Sequence, residues 1–237
     1  MDVNVNDNEN IEDLLISGLR IIQKRDGFRF GTDSVLLWKF AEAKASEEVL
    51  DIGTGSGIIP ILMSSTCPGA HYTGIEVVPE VAERAARSVR LNDLESVIKI
   101  ENEDVKAVCS RYNCRSFDVI TVNPPYKAAN TGLPNSDETE YIARHEVLCS
   151  LEDIIKAAGR LLKQGGRFYM VNRPERLCDA LELMRKYRLE PRVLTMVQPK
   201  KDRAPVMFLV KGVCCGGKNL SVTEPIILEE SEAGRNY

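Results

Sequence analysis

Val49-Leu50-Asp51-Ile52-Gly53-Thr54-Gly55-Ser56-Gly57-Ile58-Ile59-Pro60-Ile61 constrains this chain more than any other stretch. An apolar run closes on Asp51-Ile52, glycines recur at 53, 55 and 57, and a second apolar run follows at once. The pattern reads as strand, glycine turn and helix. Such a unit opens a parallel α/β sheet, because the helix carries the chain back over the sheet for the next strand. Glycine tolerates φ > 0 and lets the backbone approach a ligand closely. That ligand would lie at the helix N-terminus, beyond the C-terminal edge of the strands. A nicotinamide or flavin fingerprint would need its third glycine at position 58, which is Ile58. A Walker loop is excluded, because no Gly-Lys-Ser/Thr follows.

Three further stations stand at the ends of predicted strands. His71-Tyr72-Thr73-Gly74-Ile75-Glu76 is a short strand ending in a carboxylate, and Glu76 falls 23 residues after Gly53. That spacing suits an acid that accepts from both hydroxyls of a ribose; a solvated surface Glu is the plainer alternative. Asp104, after the strand predicted at residues 97–100, is placed to accept from an adenine amino group or to cap a helix. The last station is Asn123-Pro124-Pro125-Tyr126, directly after the apolar run Phe117-Asp118-Val119-Ile120-Thr121-Val122. The Asn123 amide oxygen and the Pro124 carbonyl both accept hydrogen bonds. The two prolines fix φ and hold those acceptors in place. Tyr126 offers a face on which a flat base or amide stacks. The arrangement suits a planar NH2 group that attacks a methyl carbon while losing a proton, although a Pro-Pro turn leaving a strand would have the same sequence.

At 237 residues the natural expectation is one α/β domain with a sizeable core. No run of eighteen apolar residues marks a membrane span. The first ten residues are polar and acidic, unlike a signal or transit peptide, and are expected to be loose. Seven cysteines without a Cys-x-x-Cys pair, and only two histidines, argue for reduced thiols in the cytoplasm and against a zinc site. The whole chain carries a net charge of −4, yet basic residues outnumber acidic ones 13 to 5 between Lys163 and Lys218. A basic third on an acidic protein is a candidate phosphate footprint, or a solvated mixed surface.

Before residue 46 the pattern predicts two short strands around Ser17-Gly18, at residues 13–16 and 19–23, and a helix over residues 34–44 capped by Gly31-Thr32-Asp33. Beyond it strands and helices alternate. Pro79 starts a helix that runs to about Leu91. Residues 127–140 form a long loop, of a length that is usually functional or disordered. Ser150 caps a helix that Gly165-Gly166 should end, Arg167 opens the fifth strand, and Pro174 starts another helix. The last two long strands, at residues 193–197 and 206–210, flank the polar turn Gln198-Pro199-Lys200-Lys201-Asp202-Arg203 and should pair antiparallel. The organisation expected is an N-terminal extension over residues 1–45, a catalytic domain over 46–228 and a flexible tail over 229–237.

The glycine loop resembles the S-adenosylmethionine loop of class I methyltransferases, and Asn-Pro-Pro-Tyr about seventy residues later is similar to their amino-methylating branch. Phe28-Arg29-Phe30-Gly31-Thr32-Asp33-Ser34-Val35-Leu36-Leu37, Ala143-Arg144-His145-Glu146 and the closing segment from Lys211-Gly212 to Ile226 resemble the bacterial valine-tRNA adenine-N6 methyltransferases. Lys127 and the Cys214-Cys215 pair depart from that pattern. The resemblance implies a Rossmann-like fold with a mostly parallel seven-stranded sheet, an antiparallel last strand and a short hairpin-and-helix extension. It implies S-adenosylmethionine as cofactor, no metal, and a tRNA adenine as substrate. Asp51, Gly53, Gly55, Gly57, Glu76, Asp104 and Asn123 are the expected cofactor-binding residues; Asn123, Pro124 and Tyr126 are the expected catalytic ones. Phe30, Lys200, Lys201 and Arg203 are candidate substrate contacts. A release-factor glutamine methyltransferase, a DNA adenine methyltransferase and a scaffold with a dead cofactor loop are the competing readings. The first two usually carry an additional domain, and the third should have lost at least one of the stations.

Overall fold

The computed structural model describes residues 3–25, 31–124 and 149–229. Phe30, Pro125, Tyr126, the 127–140 loop, Ala143-Arg144-His145-Glu146 and the tail beyond Glu229 lie outside the described residues.

The chain opens with β1 (Glu9–Asp13) and β2 (Arg20–Lys24), an antiparallel hairpin, followed by α1 (Thr32–Phe40). Then come β3 (Glu48–Ile52), α2 (Ile58–Thr66), β4 (His71–Glu76), α3 (Pro79–Leu91), β5 (Ile98–Asn102), α4 (Val105–Arg111) and β6 (Phe117–Val122). After the undescribed segment follow α5 (Leu151–Leu161), β7 (Leu162–Asn172), a 3-10 turn at Pro174–Arg176, α6 (Leu177–Lys186), β8 (Leu189–Gln198) and β9 (Met207–Cys214). Two short strands, β10 (Ser221–Val222) and β11 (Ile226–Ile227), are the last elements among the described residues.

The main sheet runs β5-β4-β3-β6-β7-β9-β8, and β9 is antiparallel to both of its neighbours. The seven expected strands are therefore present with the last long one reversed. The closing segment adds β10 and β11, both parallel to β8, and makes nine. They cover what would otherwise be a bare strand edge. Helices lie on both faces, so the central strands are apolar on both sides, as parallel sheets require. Leu50, Ile52, Ile120, Val122, Phe168 and Met170 join α4, α5 and α6 in one core. Val49, Val119, Tyr169 and Val171 join α1, α2 and the hairpin in the other.

Several local expectations are corrected. The first strand is β1, earlier than residues 13–16, because Leu15 and Ser17 adopt φ of 54° and 51° and turn the chain. The acidic start is anchored as well. Arg87 of α3 grips Glu9 through Nη1–Oε2 at 2.6 Å and Nη2–Oε1 at 2.7 Å, and donates to the Asn4 carbonyl at 2.9 Å. The Arg87 bonds hold the Glu9 carboxyl down at about 2. Helix α1 stops at Phe40, short of Lys44, although Ala41-Glu42-Ala43-Lys44 has good helix propensity. Tertiary contacts override it: Arg167 on β7 bonds the Glu42 carbonyl at 3.3 Å and the Glu47 carboxylate at 3.2 Å, drawing the chain down into β3. Gly165-Gly166 end no helix. α5 passes directly into β7, and the glycines sit where the pairing with β6 shifts register, Gly165 at φ +78°.

Candidate active site

The parallel register brings the strand ends level. Ile52 pairs with Ile75 on one side and Val122 on the other, and Glu76 pairs with Asn102. The segments leaving β3, β4, β5 and β6 therefore emerge along one edge.

The turn after β3 has Gly53, Gly55 and Gly57 at φ of 68°, 56° and 82°. These are left-handed values that cost a residue bearing Cβ. Gly57 is the N-cap of α2. The turn is braced from β4. Thr54 N donates to the Ile75 carbonyl at 2.9 Å, and Gly55 N donates to Glu76 Oε2 at 3.1 Å. Val78 N donates to Glu76 Oε1 at 3.0 Å, and Glu76 is only 1% exposed. A carboxylate offers about four acceptor sites, so the group that braces the loop also suits a vicinal diol.

Asp51 lies beneath this turn, level with Gly74 on β4 and Thr121 on β6. Thr121 Oγ1 donates to Asp51 Oδ1 at 2.6 Å. Among the described residues Oδ2 makes no hydrogen bond of ordinary geometry, and the Thr54 hydroxyl is a further polar neighbour of the carboxyl. Burial raises the Asp51 carboxyl to about 7, against the lowering pull of the Thr121 and Thr54 hydroxyls, and the charge of Glu76 adds to the rise. A buried carboxyl beside a glycine turn, able to ionise, is suited to a ligand with a positive group. Together with the diol acceptor, these residues fit an adenosine-bearing sulfonium such as S-adenosylmethionine.

Asp104 caps α4, its side chain accepting from Lys106 N at 2.8 Å. It is held near the end of β4 because Glu103 N bonds the Glu76 carbonyl at 3.0 Å. Asn123 follows β6 with its Nδ2 donating to Ser34 Oγ at 3.0 Å, and Pro124 is buried behind it. Lys200, Lys201 and Arg203 occupy the β8–β9 turn. β8 runs parallel to β6, so this turn is on the same edge as Asn123, three strand spacings away and further out along the strands, because Val122 is level with Leu194 while the turn begins after Gln198. Lys200 is paired with Glu229 at 2.8 Å, so the start of the expected loose tail is docked on the turn. Lys201 and Arg203 are exposed.

Ser34, Thr54, Gly74 and Thr121 went unrecognised in the sequence. Gly74 and Thr121 did leave a signal. A glycine inside a strand marks a close approach, and a Cβ at Gly74 would stand 2.8 Å from Thr54 Oγ1. A fully buried Thr121 among apolar strand residues needed a polar partner, which is Asp51. Among the described residues no group of three or more His, Cys, Asp or Glu is placed to hold a metal, and no helix is long and apolar enough to cross a membrane.

This sheet order, with a glycine turn and carboxylate at adjoining strand ends, defines a class I methyltransferase. Solved structures share the fold. A predicted O-methyltransferase from Agrobacterium tumefaciens superposes with TM-score 0.68 at 22% identity, covering 84% of this chain and 89% of that one. A geranyl diphosphate C-methyltransferase from Streptomyces coelicolor A3(2), solved with S-adenosyl-L-homocysteine, gives 0.57 at 12% identity over 76% of each chain. The methyltransferase small-domain model matches residues 25–189, and the chain belongs to that family. The tRNA1(Val) (adenine(37)-N6)-methyltransferase of Porphyromonas gingivalis is 33% identical over 187 residues, covering 76% of this chain and 72% of that protein. A relative of the same name from a Flavobacteriaceae bacterium is 28% identical over 221 residues, 91% of this chain and 88% of its own length.

Proposed function

We propose that this protein methylates the exocyclic N6 amine of an adenine in tRNA, with adenine 37 of tRNA1(Val) as the target. The observation that carries the reading is the placement of Asn123 and Pro124 at the end of β6, one strand from the glycine turn, in a chain whose relatives bear that name. S-adenosylmethionine, when bound, supplies a methyl group already activated on a sulfonium.

The chain's own residues bind, align and neutralise. Gly53, Gly55 and Gly57 let the backbone come close, Glu76 takes the ribose hydroxyls, Asp104 accepts from the cofactor's adenine, and Asp51 answers its positive charge. An adenine amine is a poor nucleophile because its lone pair is delocalised into the ring. Acceptors at Asn123 Oδ1 and the Pro124 carbonyl favour a localised lone pair and stabilise the positive charge that grows on nitrogen. A base in a stack must first be flipped out, at about a few kcal/mol. Stacking on Tyr126, with Phe30 as a further substrate contact, returns on the order of 1–3 kcal/mol per base. The methylated nitrogen, cationic and far more acidic than the free amine, gives its extra proton to water, so the scheme needs neither a tuned general base nor a metal. Lys201 and Arg203 contact backbone phosphates on the same edge, and Lys200 joins them on release from Glu229. A tRNA substrate locates the reaction in the cytoplasm.

Incubation with unmodified tRNA1(Val) and methyl-labelled cofactor, followed by nucleoside mass spectrometry, should yield N6-methyladenosine. Asn123→Ala should lower kcat by about 100- to 1000-fold, the scale for one preorganised polar group, with cofactor affinity much less affected, because the glycine turn, Asp51, Glu76 and Asp104 also hold it. Label entering a release-factor peptide and not tRNA would overturn the substrate, and wild-type turnover by Asn123→Ala would overturn the mechanism.

A further inference from the structure

The amide of Asn123 reaches 89 positions back along the chain, to Ser34 in the first turn of α1. Ser34 is 4% exposed. Its backbone is fixed by bonds from Ser34 N to Asp33 Oδ1 at 2.8 Å and to the Gly31 carbonyl at 3.2 Å. Helix α1 packs on α2, β7 and β9, so the Ser34 hydroxyl is carried on a rigid element.

We propose that Ser34 is a positioning residue that turns the Asn123 carboxamide so that its oxygen, not its NH2 group, meets the target amine. The inference rests on the reading of Asn123 given above. A carboxamide presents a donor on one side and an acceptor on the other. Nothing intrinsic to Asn123 chooses which side faces the substrate. A hydroxyl can serve either end; in the structure Ser34 accepts from Nδ2, and only that arrangement satisfies the hydroxyl, the amide and a donor-bearing target together. With Nδ2 donating to Ser34 Oγ, Oδ1 lies on the side away from α1 and accepts from the incoming amine. The reverse sets two NH2 groups against each other. Ser34 therefore makes the N-terminal extension part of the active site, although the extension precedes the first strand of the sheet. It also makes the site selective for a donor-bearing target, because a group that offers only acceptors would meet the Asn123 oxygen and be repelled.

Selective 15N-asparagine labelling of the ligand-free protein reads the amide directly. The Asn123 side-chain signals are identified by their loss in Asn123→Ala. In Ser34→Ala those signals should shift and their protons exchange faster with solvent. In single-turnover assays with tRNA1(Val), Ser34→Ala should lower the rate by about ten- to 100-fold, the cost of a small misplacement at the reacting centre. Cofactor affinity and KM should hold within about twofold, and Ser34→Thr, which keeps the hydroxyl, should recover most of the loss. Placed on Asn123→Ala, Ser34→Ala should add almost nothing, because the two act as one unit. A full additional loss in that double variant would make Ser34 merely structural and overturn the proposal. So would unperturbed Asn123 signals, or a wild-type rate in Ser34→Ala while Asn123→Ala is inactive. A wild-type rate in Asn123→Ala would instead remove the reading on which the proposal stands. If the extra methyl of Ser34→Thr prevents folding, the labelling and the double variant still decide.

Discussion

On the β3–β4 side of the sheet edge, the glycine turn and Glu76 belong to one short stretch of chain and are bonded to each other: Gly55 to Glu76, Thr54 to the Ile75 carbonyl. On the β6 side, Asn123 is steadied by Ser34, 89 residues away, and the basic turn stands three strands along. The first side is a self-contained unit that one βαβ segment can carry. The second is assembled from the N-terminal extension, the middle of the sheet and the last hairpin. A common cofactor calls for the first kind of construction, whereas a particular substrate is met by parts that vary separately.

The sharpest way to break the comparison is to damage the self-contained side at one backbone position. Gly55 sits at φ 56° with its N–H on Glu76. Gly55→Val forces a β-branched residue into the left-handed region, where even an ordinary L-residue loses roughly 1–2 kcal/mol, and puts a side chain where the backbone must approach the ligand. Calorimetry with S-adenosylmethionine should show affinity lower by about tenfold or more. Asn123 variants, on the other side, should lower it far less, because the other cofactor contacts remain. Equal losses from both would mean that the two sides are not separable.

The same division governs what the sequence could tell. The glycine spacing, Glu76 at a strand end and Pro79 at a helix start are local features, and the structure places each where the local reading put it. The Thr121–Asp51 bond depends on register between β6 and β3, and the Ser34–Asn123 bond on where α1 packs. Neither leaves a pattern in adjacent residues. The errors have the same origin. The Ala41-Glu42-Ala43-Lys44 run is helical by propensity, and Glu9 looks like a solvated acid. Arg167 and Arg87, distant in sequence, decide otherwise.

Asp51 sharpens the comparison from within. The folded protein holds its carboxyl at about 7 against an ordinary 3.8. Between those values the unfolded chain has released a proton that the folded chain retains, so stability falls as pH rises through this window and levels off above it. Asp51→Asn keeps the shape and an acceptor for Thr121 but cannot ionise. Without ligand it should melt several degrees above wild type at pH 8, an advantage that shrinks by pH 5 and vanishes below pH 4. S-adenosylmethionine should raise wild type more than the variant, because only the carboxylate answers its positive charge. A melting difference independent of pH would show that Asp51 does not titrate in this window.

The smallest effect belongs to the basic turn, and it tests whether the β6 side extends that far. Lys201 and Arg203 are exposed, whereas Lys200 is already matched by Glu229 at 2.8 Å. Charges that meet phosphate release counterions, so each contact adds about 0.9 or less to the slope of log affinity against log salt. The Lys201→Gln/Arg203→Gln pair should weaken tRNA binding at low salt and flatten that slope by about 1 to 2. Lys200→Gln should change it less, because Glu229 competes for the same ammonium, and Glu229→Gln should steepen it by freeing Lys200. Cofactor affinity should be untouched in all of them, since the turn stands three strand spacings from β6, beyond the level of its end, and further still from the glycine loop. An unchanged slope in the double variant would make the turn an ordinary solvated hairpin. Substrate recognition would then end nearer Asn123, and the basic excess of the last third would lie outside the tRNA footprint.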